Sequence, residues 1–97
     1  MRLLTKGIRN KLPGLYSQEK KEAKDVKIIV KFFNPAGSWS WYATEFDGVD
    51  TFFGLVDGFE KELGYFSLKE LEGFRGSFGL GIERDLHFKN KTLAEVL

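Results

Sequence analysis

Apolar and polar positions alternate with period two through the middle of the chain, and shorter helical spacings flank that stretch. Residues 26–33 set Val26, Ile28, Val30 and Phe32 on one side and Lys27, Ile29, Lys31 and Phe33 on the other. Branched and aromatic residues in that alternation predict a strand. Asn34-Pro35-Ala36-Gly37 has the order of a type I turn, in which Asn opens, Pro presets the second φ and Gly closes. Residues 38–46 return as a second strand, 49–56 as a third and 59–66 as a fourth. The dipeptides between them, Asp47-Gly48 and Asp57-Gly58, tolerate the positive φ of tight hairpin turns. A helix over 5–12 is predicted from Thr5 as cap, Ile8 and Leu12 four apart, and Pro13-Gly14 as stop. Ser67-x-x-Glu70 and Thr92-x-x-Glu95 have the capping-box spacing that opens two more short helices. The expected fold is α+β: a four-stranded antiparallel meander with short helices packed on one face, in one domain over residues 1–97.

Turn lengths carry register. A two-residue turn at Asp47-Gly48 sets Glu45 opposite Asp50 and Trp41 opposite Gly54, and a four-residue loop at 34–37 sets Trp39 opposite Phe32. The core face then holds Val30, Phe32, Trp39, Trp41, Ala43 and Phe52. The other face mixes Lys27, Lys31, Phe33 and Tyr42 with Phe46, Phe53 and Leu55.

Composition narrows the classes. With 97 residues, one core must carry the fold, and the absence of cysteine excludes disulfides and thiolate metal sites. After Arg2 only Leu3 and Leu4 precede Thr5 and Lys6, too short for a signal sequence, and no run approaches a membrane span. The expected location is the cytoplasm, with no membrane partner. Net charge is only +1, but it is unevenly placed: residues 1–31 hold nine Lys or Arg against three acids, leaving +6, and residues 32–97 hold six against eleven, leaving −5. Such asymmetry marks a basic arm for nucleic acid or an acidic face for a protein.

Three chemistries compete for these residues. The acidic stretch 45–72, with Glu60 and Glu62 at its centre, suits another protein as partner. Lys27, Lys31, Phe33 and Tyr42 on one open face suit single-stranded nucleic acid, with rings for bases and ammonium groups for phosphates. Glu45 facing Asp50 crowds two carboxylates, and if 82–88 is extended Glu83, Asp85 and His87 project together. Either set suits a divalent cation, and a metal-dependent hydrolase needs the two to meet. No other cofactor is expected. His87 is the sole histidine, no cysteine is present, and no phosphate-loop pattern occurs, so no catalytic set is complete. The residues favour a non-catalytic interaction module.

Several ordered segments also carry a resemblance. Leu3-Leu4-Thr5 through Leu12-Pro13, Lys31-Phe32-Phe33-Asn34-Pro35, Trp39 through Glu45, Phe52-Phe53-Gly54-Leu55-Val56, the run Glu62-Leu63-Gly64-Tyr65-Phe66-Ser67-Leu68-Lys69-Glu70-Leu71, and Ile82 through Phe88 resemble the bacterial domain of unknown function family 2958. The resemblance implies a small accessory protein of plasmids and other mobile elements, and an anti-defence or regulatory role is the expectation for the interaction module. It implies no activity and assigns no residue a role.

Overall fold

A computed structural model describes residues 2–97 and realises the alternation as five antiparallel strands. They are β1 Val30–Phe33, β2 Ser40–Phe46, β3 Thr51–Asp57, β4 Lys61–Ser67 and β5 Glu83–Arg84, in the spatial order β4-β3-β2-β1-β5. The four predicted strands are present. The fifth corrects the four-stranded expectation: its two residues pair Arg84 with Phe32 and Glu83 with Phe33 at the far edge. One edge of the sheet is therefore seven residues long and the other two.

Three short helices follow the predicted caps: α1 Lys6–Lys11, α2 Leu68–Gly73 and α3 Leu93–Val96. Thr5 Oγ1 accepts from the Ile8 N–H at 3.2 Å, Ser67 Oγ accepts from Glu70 N–H at 3.2 Å, and the Glu95 carboxylate accepts from Thr92 N–H at 3.0 Å. Each bond satisfies a donor that helix geometry leaves open.

Helices cover both faces rather than one. On the first face, Val30, Phe32, Ala43 and Phe52 are buried under Leu3, Leu4, Leu71 and Ile82, with the Phe32 and Phe52 rings edge-to-face at 5.4 Å. On the second, Leu55 is buried against Val26 and Leu93, with Tyr42 and Val96 partly buried beside them. That second core closes through the C-terminus: Leu93 N–H donates to Val26 O at 2.8 Å and Lys27 bridges Thr92. Residues 26–28 are thus bound by the chain end, Ile29 N–H donates to Ala43 O of β2 at 2.9 Å, and β1 starts at Val30 instead of Val26.

The registers differ from expectation by two residues. Phe32 faces Trp41, and Val30 faces Ala43, because Asn34 N–H donates to Trp39 O and lengthens the turn. Trp41 faces Val56, and Ala43 faces Gly54. The connection between β2 and β3 holds four residues, Asp47 to Asp50, and Phe46 pairs with Phe52 beyond it. Asp47 Oδ1 accepts from the N–H groups of Val49, Asp50 and Thr51, which closes a wider turn than a two-residue hairpin. Between Ala43 and Glu45 the register slips by one, leaving Thr44 as the extra residue of a β-bulge, with its hydroxyl donating to Phe53 O. The bulge moves Phe46 to the first face, where its ring stacks 4.5 Å from Phe52. It also drives the backbones together: a Cβ at Gly54 would lie 1.8 Å from Tyr42 O.

Candidate functional site

On the first face, the sheet is not fully covered beyond α2. Trp39 just before β2, Trp41 and Phe66 from the sheet, Leu71 from α2, Phe74 and Ile82 wall a groove of about 510 Å³. Asn34, Ser67 and Glu70 supply its polar lining, and Glu70 is the only charged residue among them. Trp39 is placed by glycine: a Cβ at Gly58 would meet its ring at 2.5 Å. The Trp39 ring then packs 6.0 Å from Trp41 and edge-on to Phe59 at 5.3 Å. Phe59 is itself 94% exposed. Near the other end, Phe74 lies against Gly76, and the short turn Ser77–Gly79 presents Phe78 at 95% exposure.

The wall formed by α2 is fixed from the β2–β3 connection. Asp50 accepts from Ser67 Oγ at 2.6 Å and from Lys69 N–H at 2.8 Å, while Leu68 N–H donates to Asp50 O. These bonds, the Ser67 hydroxyl first, hold the Asp50 carboxyl below its ordinary range. Asp47 is lowered likewise by its three backbone donors.

Cross-strand partners share a face, so Glu62 stands in the row of Val56, Trp41 and Phe32. Glu60 follows Phe59 in the turn between β3 and β4 and is exposed. Neither of these two residues lines the groove; Glu62 shares the face of Trp41, and Glu60 follows Phe59 in the chain. Composition did not single out Glu70 or Phe66. Trp39 and Trp41, read as core, are only half-buried.

The other predicted sites are rearranged. Glu45 and Asp50 do not face each other: Glu45 pairs with Phe53, is 3% exposed, and its two oxygens accept from Tyr16 N–H at 2.8 Å and Gln18 N–H at 2.9 Å. Glu45 thus pins the loop that carries Tyr16 at a φ of 70°. The chain is extended only at Glu83–Arg84, after which Asp85 Oδ1 accepts from His87 N–H and turns it. His87 is exposed. Among the described residues no group of three His, Asp or Glu side chains comes together as a metal site.

The lysine and aromatic face is also divided. Lys31 lies 3.7 Å from Asp85 and 5.4 Å from the Tyr42 ring, so its charge is balanced locally. Tyr42 packs on the second core with its ring 5.9 Å from Phe88, and Phe33 is half-buried. Lys27 points elsewhere, into a cleft lined by Lys11, Lys89 and Lys91. Those three lysines carried no signal in local sequence pattern.

No described helix is long and apolar enough to cross a membrane. The chain belongs to the family described as "Protein of unknown function (DUF2958)", which matches residues 3–96, as the resemblance implied. No curated protein and no solved structure matches it.

Proposed function

We propose that this member of the DUF2958 family is a non-catalytic, accessory protein-binding module, and that the aromatic groove seats a segment of a partner protein bearing an apolar side chain next to a basic one. The observation that carries this reading is a 510 Å³ groove walled by two tryptophans and two phenylalanines, with Glu70 its sole charged lining. Large, half-exposed rings suit the buried anchor of a protein interface, where tryptophan is enriched. Glu60, Glu62 and Glu70 add the charge that a Lys or Arg beside the anchor would meet. Magnitudes require both parts. Burying one apolar side chain gains about 1.5–3 kcal/mol, whereas micromolar affinity needs about 8 kcal/mol, so one anchor alone falls short.

A peptide-display selection against the full chain tests the reading. Enriched peptides should share an aromatic or long aliphatic residue with a neighbouring Lys or Arg, and Glu70→Lys should weaken them at least tenfold. Peptides that bind Glu70→Lys equally well, or that lack the apolar anchor, would refute this use of the groove.

A further inference from the structure

Four lysines far apart in sequence converge on a second cleft, of about 740 Å³, which shares no lining residue with the aromatic groove. Lys11 comes from the end of α1, Lys27 from the segment before β1, and Lys89 and Lys91 from the approach to α3. No carboxylate lines the cleft, and none of the four enters an ion pair among the described residues. This separates them from Lys31, whose partner Asp85 is 3.7 Å away. After the Thr92 N–H, Lys91 helps hold the Glu95 carboxyl below its usual range, and no carboxylate stands among the lining residues to balance the other three.

The cleft is held by main chain rather than by the lysine side chains. Ile28 N–H donates to Lys91 O at 2.9 Å, Lys27 bridges Thr92, and Asn90, at a φ of 50°, turns the chain between Lys89 and Lys91. Between the charges lies an apolar lining of Ile28, Ile29 and the Phe88 ring, itself backed by Tyr42. Cationic positions around an apolar surface match a strand that alternates phosphates with flat bases. An acidic peptide supplies the charge but no flat face beside each one.

We infer that this cleft binds single-stranded nucleic acid, with phosphates on the four ammonium groups and a base against Phe88 and Ile29. The probe is a fluorescein-labelled 20-nucleotide oligo-dT or oligo-U, followed by anisotropy with the full chain at 50 and 200 mM salt. Four phosphate contacts give a log–log salt slope of about −2.8, so affinity should fall about 50-fold over that range. Lys27→Ala/Lys91→Ala should bring the slope to about −1.4 and weaken binding at least tenfold at 50 mM. Lys20→Ala/Lys69→Ala, with the same charge loss outside the cleft, should stay within about threefold of the parent, since only diffuse, salt-screened charge is removed. Should the cleft double variant fail to fold, Lys89→Glu on the exposed turn provides the same comparison. Three results would overturn the inference: no saturable binding at 50 mM, equal weakening by the control pair, or displacement of the oligonucleotide by polyglutamate at equal charge concentration.

Discussion

Asp50 shows how much one side chain settles. It sits in a connection between strands, yet it accepts from the Ser67 hydroxyl, which in turn caps α2, and from Lys69 N–H. Its carboxyl is held below the ordinary value, so its ionised form contributes stability above about pH 3.9, and that contribution is lost as pH falls through the lower native value. Asp50→Asn should therefore be less stable than the parent at neutral pH, and the two denaturation midpoints should converge below about pH 4. Parallel curves down to pH 2 would show that Asp50 does not couple to the helix start. Asp47 keeps its own backbone donors in the variant, so a residual acid limb is expected. Glu45 makes the complementary point: a carboxylate met in sequence as a metal ligand is consumed by two backbone N–H groups of the 14–18 loop. Sequence cannot distinguish these fates, because both want an ionised acid next to electropositive atoms and only the path of a distant loop decides.

At the scale of elements, strands and caps were legible and register was not. Alternation is a local property, and Thr5, Ser67 and Thr92 each start a helix where their spacing placed it. Both hairpin registers slipped by two, which is one full side-chain period, so Phe32, Trp41 and Ala43 stayed on the face they were assigned. Phe46 changed face because the bulge at Thr44 adds one residue, and nothing in Ala43-Thr44-Glu45 marks a bulge. Helices on the second face were missed because α3 reaches it only by pairing with residues 26–27, a closure across most of the chain. The bulge has a measurable consequence across the row Ala43, Gly54 and Gly64. Gly54→Ala drives a methyl group into Tyr42 O, whereas a Cβ at Gly64 meets nothing within 4 Å. Denaturant unfolding should place Gly54→Ala at least 3 kcal/mol below the parent, beyond the usual cost of about 1–3 kcal/mol for overpacking, or find it unfolded. Gly64→Ala should stay within about 1 kcal/mol, the span of strand propensities. Equal costs would mean that the close approach at the bulge relaxes freely.

Over the whole molecule, folding re-sorts the charge that the sequence divides by position. Lys11 and Lys27 from the basic first third join Lys89 and Lys91 from the acidic remainder, while Glu45, Asp47, Asp50, Asp85 and Glu95 are spent on internal bonds. Glu70, left exposed in the lining of the groove, gives it its sign. Of the binding residues proposed from sequence, Lys27 lines the lysine cleft, Glu62 shares the face of Trp41 with Glu60 in the adjoining turn, and Lys31, Phe33 and Tyr42 line neither surface. Their neighbours come from tertiary closure that no local pattern encodes. Because the surfaces share no lining residue, Glu60→Lys/Glu62→Lys should abolish capture of groove-selected peptides. It should leave the salt slope of oligonucleotide binding unchanged, as anisotropy on the same preparation would report. A changed slope would mean that the oligonucleotide runs across both surfaces.

The unequal edges of the sheet limit how copies can associate. β4 offers a seven-residue row of backbone groups with no proline and no strand beyond it, whereas the opposite edge is two residues long and ends where Asp85 turns the chain. A strand added to β4 uses up the one long template among the described residues, and two copies meeting there are related by a two-fold axis that leaves no growing end. Polymerisation through the sheet is thereby terminated at its first step, and a fibre would require β5 to lengthen.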